Sequence, residues 1–522
     1  MWRRLAIVAV LLVIADRRAE AFCGFYVNGA GGALFNNATQ VVLVRQGTRT
    51  TLSMQNAYQG PPEAFAMVVP VPVVLQEQDV KTLPKEIFAK VDAMGAPRLV
   101  EYWEQDPCVP IITEKTKGMR RLGATAAPRG SGSGVTVEAR FAVGEYQIVI
   151  LSAKEAVGLE RWLRAERYQI PAGAAGLLRP YVEGGAKFFV AKVDPAKVVF
   201  EAGRAVLSPL RFHYDSEDFA LPIRLGLANS SGVQDLIVNI LAEERYELAN
   251  YPNVTIPTNL DVNDEVRTRF GEFYAALFDR TLAQHPGAVV TEYAWDAATC
   301  DPCPGPVLDG GDFATLGAAS ARRRGALVLT RLHARYGKDA VPEDLVFRAA
   351  PPIAGGRERY VSPGQLEERA RPAPSNNFQG RYVIRHPWQG AIACATPQRG
   401  IWGGPPSDVG VELAAGQARA ATDLARAPRG RVSLAALLAR DLPELGVVAG
   451  AVATVEPAAT PAPESTVEGA DPLPPSPARS GRGCGCAAGG GEGPLGGLAG
   501  VALLAAMRRR RGGRGHARAK RS

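Results

Sequence analysis

The chain has 522 residues, 46% of them hydrophobic and 21% charged, which is a globular composition, long enough for more than one core and too apolar for a wholly disordered chain. Its net charge of +8 sits at the ends: residues 508–522 hold seven Arg and one Lys without an acid, residues 1–21 add +2, and residues 22–507 sum to about −2. A nearly neutral body argues against a phosphate-binding surface, and no nucleic-acid partner is expected.

In chain order, Arg3 and Arg4 precede an unbroken apolar run over residues 5–15 and the small residues Ala19 and Ala21. This is the pattern of a secretory signal peptide, and it places cleavage by signal peptidase after Ala21, so the mature chain starts at Phe22. The body from residue 22 to 403 reads as mixed α+β. "TQVVLVRQGTRTTLSMQ" is two β-branched runs about Gln46 and Gly47, a hairpin, and "FAMVVPVPVV" is a buried strand. In "LPKEIFAKVDAMGAPRLVEYWEQ" the period changes: Ile87, Val91 and Met94 predict a helix, and a second helical stretch is expected to end before Pro107. The glycines Gly130, Gly132 and Gly134 precede the hairpin "VTVEARFAVGEYQIVILSA" and do not follow a strand and open a helix, which excludes a phosphate-cradling loop. A helix over "AKEAVGLERWLRAERY", strands at "AKFFVAKV" and "LRFHY", a long amphipathic helix "NDEVRTRFGEFYAALFDRTLAQH" and further strands at "AVVTEYAW", "GALVLTRLHARYG", "EDLVFRAAPP" and "GRYVIRHPW" complete the body. Residues 404–454 are Ala-rich and partly helical in expectation, including "ELAAGQARAATDLARAP" and "RVSLAALLARDLPELG". Residues 455–483, rich in Pro, Ala, Glu, Ser and Gly, read as a disordered linker.

Export makes the cysteines structural in expectation. Cys23, Cys108, Cys300, Cys303 and Cys394 are the disulfide candidates of the body, an odd number. The spacing of Cys300 and Cys303 matches a redox motif, but Pro302, Pro304 and Pro306 forbid the helix that such a motif opens, so a local disulfide or separate structural bridges are favoured over redox catalysis. Zinc lacks a second cysteine pair.

Catalytic patterns are absent: there is no G-x-S-x-G, no H-E-x-x-H and no S-x-x-K set. His213, His285, His333 and His386 are widely spaced, and packing or surface position accounts for each. Asp261, Asn263, Glu265 and Glu272 fall at calcium-loop offsets, but Val266 stands where glycine is needed, and Asn263 or Asp264 reads better as a helix cap. Neither a metal nor a cofactor is expected. In "EYWEQD", Glu101, Tyr102, Trp103, Glu104 and Asp106 could line a sugar-binding surface or a glycosidase cleft, and the favoured reading is the end of a packed helix.

Residues 484–522 run Cys484, Cys486, a 13-residue apolar segment, then Arg508, Arg509, Arg510 and Arg511. Basic residues held on the cytoplasmic side stop translocation, and a short Gly- and Ala-rich transmembrane segment suits a temporary membrane hold. The order resembles the MYXO-CTERM sorting signal of myxobacterial surface proteins. That resemblance implies cleavage beside the cysteines by a myxosortase-type intramembrane protease and lipidation of the retained Cys484. The body, through "FCGFYV", "GPPEAFAMVVPVPVV", "LVEYWEQDPC", "CDPCPGP", "LTRLHARYG" and "NNFQGRYVIRHPW", resembles the bacterial domain of unknown function 2330 over about residues 22–403. That family brings no catalytic residues. The expectation is therefore an exported, cell-surface-anchored protein, a binding or structural module whose extracellular ligand the sequence does not name; an exported hydrolase with a motif-less site is the alternative.

Overall fold

The computed structural model describes residues 25–28, 35–36, 40–108 and 137–450, apart from short stretches within them. Cys23, the signal-peptide residues Ala19, Ala21 and Phe22, the glycine loop, the linker and the sorting residues Cys484, Cys486 and Arg508 to Arg511 lie outside the described residues. Among the described residues no helix is long and apolar enough to cross a membrane.

The architecture is mixed α+β. The strands that position the site are β1 (Phe25–Asn28), β2 (Gln40–Gln46), β3 (Arg49–Gln55), β4 (Phe65–Val71), β5 (Val80–Thr82), β6 (Arg98–Glu104), β7 (Val137–Val143), β8 (Tyr146–Ser152), β9 (Lys187–Val193), β10 (Leu210–Asp215), β11 (Gln234–Ala242), β12 (Leu260–Asp261), β13 (Val289–Asp296), β14 (Val328–Tyr336), β15 (Asn377–Gln379), β16 (Arg381–His386), β17 (Trp402–Gly403) and β18 (Gln417–Ala420). The helices are α1 (Glu86–Gly95), α2 (Ala156–Ala165), α3 (Ala174–Glu183), α4 (Val266–Gln284), α5 (Gly310–Thr315), α6 (Ala319–Arg324) and α7 (Leu434–Leu437).

One sheet runs β1-β4-β9-β8-β7; a larger one contains β15-β13-β14-β11-β2-β3-β10-β5. They lie face to face. Val41 and Leu43, Val238 and Ile240, and Leu332 pack against Phe65, Met67, Ile148, Ile150 and Phe189 of the smaller sheet. The intervening positions face outward onto helices: Val68, Val149, Leu151 and Val190 meet Leu159 and Leu163 of α2 and Leu178 of α3, while Val42, Val44, Leu241 and Leu329 meet Phe88, Val91 and Met94 of α1. Four layers result. Strands covered on both faces have no polar side to show, which is why "VVLV" and "AMVV" read as unbroken apolar runs. Between β2 and β3 the two-residue turn needs a left-handed residue, and Gly47 supplies it at φ +57°.

A third, smaller sheet, β12-β16-β6-β17 with β18 also on β6, carries the candidate site. Here two sequence expectations fail. "RLVEYWE" is strand β6, not helix; buried on both faces between β16, β17 and β18, it has neither a helical nor an alternating pattern to display. "QARA", expected within an Ala-rich helix, is strand β18, paired antiparallel with β6 from Gln417 opposite Glu101 to Ala420 opposite Arg98. Pairing overrides the helix preference of alanine there.

Candidate functional site

β6 and β16 run parallel, with Ile384 opposite Glu101, Arg385 opposite Tyr102 and His386 opposite Trp103. Direct neighbours across such a pair share a face, so the Trp103 and His386 rings stack at 4.7 Å between centroids with 21° between planes. Glu101, two residues before Trp103, lies on the same face. Arg267 from the first turn of α4 holds it with two nitrogens at 3.0 to 3.2 Å, and His386 Nε2 lies 3.0 Å from its Oε2. Burial pushes the Glu101 carboxyl up, but the hydrogen bonds from Arg267 and His386 outweigh it and leave it below the ordinary value.

Glu104 faces the other way and organises the loop after β16. Its carboxylate accepts from Arg399 Nε and Nη2, both at 2.8 Å, from the Gly400 N–H at 2.8 Å and from the Trp388 N–H at 3.0 Å. The Arg399 hydrogen bonds chiefly, with those two amides, hold Glu104 down at about 2. The Cys108–Cys394 disulfide, with Cα atoms 5.5 Å apart, ties the same loop to the end of β6. Backbone bonds from Gln398 to Pro107 and from Gln105 to Ile401 close it further. The loop is therefore fixed before any ligand arrives.

These elements enclose a half-open hollow of about 400 Å³ lined by Trp103, Glu104, His386, Pro387, Trp388 and Gln389. The Trp388 indole lies so close to Gly390 that a Cβ there would sit 2.5 Å from the ring. Its Nε1 is buried without a hydrogen-bond partner among the described residues. The hollow thus offers three aromatic rings, Trp103, His386 and Trp388, and the Gln389 amide, while the Trp388 Nε1 stays buried beside Gly390. It does not offer a hydrolytic pair: Glu101 and Glu104 lie on opposite faces of β6, and both carboxyls are pushed down, whereas a glycosidase needs one of its two held up as an acid.

A second cluster is sealed in the core. Glu292 occupies a bulge in β13, where Thr291 and Tyr293 oppose consecutive residues of β14. Its carboxylate accepts from Tyr274 Oη at 2.5 Å and Arg331 Nε at 2.6 Å and lies 2.7 Å from His333 Nδ1. Arg331 also donates to Asp92 of α1 at 2.6 Å, and the His333 ring stacks on Phe278 of α4 at 3.7 Å. Burial raises the Glu292 carboxyl, but His333 and Arg331 together bring it down to about 2. With Glu292 and His333 at 0% and 1% exposure, no substrate reaches them. The network ties α1 and α4 to the large sheet.

A larger hollow of about 610 Å³ is lined by Arg245, Glu247, Thr281, His285, Arg371 and Glu444, among others. Its cations are already engaged: Arg245 with Glu247 at 3.0 Å, Arg371 with Glu367 at 2.9 Å and Arg369 with Glu444. At the calcium-loop offsets, Asp261 pairs with Arg385 and Arg440 while Glu265 and Glu272 pair with Arg269. Asn263 donates to the Ala436 carbonyl instead of capping α4, whose N-cap is Glu265. Among the described residues no three potential ligands gather to hold a metal. Cys300 and Cys303 form a local disulfide with Cα atoms 5.0 Å apart. Sequence reasoning singled out Trp103 but missed Trp388 and Arg399, which reach β6 from nearly 300 positions away; the "RHPW" juxtaposition was the available signal.

A family model described as an uncharacterized protein conserved in bacteria (DUF2330) matches residues 17–348. No curated protein and no solved structure matches.

Proposed function

Since the chain belongs to the DUF2330 family, described as uncharacterized and conserved in bacteria, we propose a function from its geometry: a binding module displayed at the cell surface, whose hollow beside β6 takes a saccharide. The observation that carries this reading is the Trp103, His386 and Trp388 set on a loop pinned by Glu104 and the Cys108–Cys394 disulfide. Flat aromatic faces pack against the apolar face of a sugar ring, and the exposed Gln389 side-chain amide supplies hydrogen bonds to hydroxyls. A fixed loop spares the ordering cost of binding. Display outside the cytoplasm is supported by the two disulfides, which persist in an oxidising compartment, and by the sequence order of signal peptide, linker, cysteine pair, apolar segment and arginines. Processing at Ala21 and beside Cys484 belongs to the same proposal.

A glycan array probed with the full exported protein tests it. The wild type is expected to retain a restricted set of glycans that Trp388→Ala and Trp103→Ala lose, without release of reducing ends. Glycan retention unaffected by both substitutions refutes the site, and turnover of a retained glycan replaces the binding module with the hydrolase.

A further inference from the structure

Arg98 and Arg381 are 0% and 1% exposed. Buried guanidinium groups ordinarily face carboxylates, because an uncompensated charge in the interior is costly. Among the described residues these two have no carboxylate at ion-pair distance. Arg98 donates to the Pro302 carbonyl at 3.1 Å, to Gln379 Oε1 at 2.6 Å and to the Met94 carbonyl. Arg381 donates to the Asp301 carbonyl at 2.6 Å and to Tyr102 Oη at 3.0 Å. Among the described residues the Nε of each has no hydrogen-bond partner. Two positive charges, hydrogen-bonded to neutral dipoles and with the charge of Asp301 acting on Arg98 from beyond ion-pair distance, thus converge on the two residues that separate Cys300 from Cys303.

On its outer side the same loop is open, with Cys303 and Asp301 exposed and Cys300 half-buried. Its shape has supports besides the disulfide. Gln379 Nε2 donates to the Asp301 carbonyl at 2.8 Å, so three side chains grip the two carbonyls from below. A bond spanning 3 positions also constrains the unfolded chain far less than the 286-position Cys108–Cys394 bond does. Little structural need for the short bond remains.

We propose that Cys300–Cys303 is a thiol–disulfide exchange site, with the buried Arg98 and Arg381 stabilising the thiolate it releases. The prolines exclude the helix N-terminus that such motifs use, and the guanidinium pair supplies the positive potential in its place. The partner class is a dithiol, such as a reduced cysteine pair of another exported protein. One thiolate of the dithiol attacks the exposed Cys303 Sγ; a new S–S bond forms there, the Cys300–Cys303 bond breaks, and Cys300 leaves as the thiolate. The second thiolate of the dithiol attacks its own sulfur in the mixed disulfide and releases the Cys303 thiolate. The dithiol loses two electrons and becomes a disulfide, the cysteine pair gains them, and the two protons of the dithiol pass to solvent or to the new thiolates. The reverse steps reoxidise the pair at the cost of a disulfide.

The test uses the full chain in graded dithiothreitol, with alkylation of each cysteine followed by mass spectrometry. Cys300–Cys303 is expected to open at dithiothreitol concentrations that leave Cys108–Cys394 intact, and the reduced pair to alkylate at pH 7 about tenfold faster than an ordinary thiol of pKa about 8.5. Arg381→Gln keeps a donor for the Asp301 carbonyl and removes one charge, and it should lower that rate several-fold. Asp301→Asn, an exposed change that leaves the core untouched, should raise it about twofold to threefold. Reduction no easier than that of Cys108–Cys394, an ordinary alkylation rate, or an Asp301→Asn rate at or below wild type overturns the proposal, whether or not Arg381→Gln folds.

Discussion

Replacing Glu104 by glutamine keeps its shape and removes its charge, so it isolates what the carboxylate does for the loop that carries Trp388. The backbone N–H groups of Trp388 and Gly400 donate to it at 3.0 and 2.8 Å. Each such bond weakens by about 1 kcal/mol when a charged acceptor becomes neutral. The ion pair with the half-exposed Arg399 is left out, because solvent screens it. The remaining 2 kcal/mol or so corresponds to roughly 30-fold more frequent opening of the loop. Hydrogen exchange of the Trp388 and Gly400 amides reads this directly: both should speed up about 30-fold in Glu104→Gln, while Val238 in the core of β11 stays unchanged. Because the Glu104 carboxyl is held down at about 2, its stabilisation is complete above about pH 4.5 and is lost only as the pH falls toward 2. Wild-type loop protection should therefore be reduced at pH 3.5, by about tenfold, and vanish only toward pH 2. Amides at 388 and 400 that exchange equally in variant and wild type would show that Glu104 does not hold the loop.

Glu292→Gln breaks a fully buried charge network and should cost about 3–5 kcal/mol in urea unfolding. Wild-type Glu292, down from 4.5 to about 2, contributes about 3 kcal/mol that is complete above pH 4.5 and lost toward pH 2, so the variant should show a flatter acid limb; identical limbs would contradict this. The double substitution Cys108→Ser and Cys394→Ser opens a 286-position closure and should lower stability by several kcal/mol, at most about 5, with early loss of the Trp388 environment in tryptophan fluorescence. Gly356 has φ +72° and would place a Cβ 1.8 Å from the Gln379 carbonyl oxygen, so Gly356→Ala should yield no folded protein, whereas Gly47→Ala, at φ +57° in open space, should cost about 1–2 kcal/mol by thermal melting.

What could be read from the sequence followed from how local its signal was. The β2–β3 hairpin was legible because its turn demands glycine at position 47 and its strands are β-branched. Helix α4 was legible because Phe270, Phe273, Tyr274, Leu277 and Phe278 repeat at helical spacing. β6 was not, because burial on both faces erased any period, and β18 was not, because its strand state exists only through pairing with β6. The same holds for the site. Trp103 drew attention within "EYWEQD", but its partner His386 arrives through the parallel pairing of β6 with β16, and Trp388 through a loop that Glu104 and Cys394 secure. His333 was expected to be explained by packing; it does stack on Phe278, yet it also belongs to a charge network assembled from β11, β13, β14, α1 and α4 that no single segment displays.

Under the proposed function, saccharide meets the protein at Trp103 and Trp388. Six tryptophans give six indole N–H signals at most in ¹⁵N-labelled protein, and two of them lie in the hollow. Titration with a glycan retained on the array should move the Trp103 and Trp388 indole signals together along one saturable curve. The signals of Trp162 and Trp295 should stay in place. Saturable binding that shifts Trp162 or Trp295 and leaves Trp103 and Trp388 still would place the saccharide elsewhere and refute the hollow as its site.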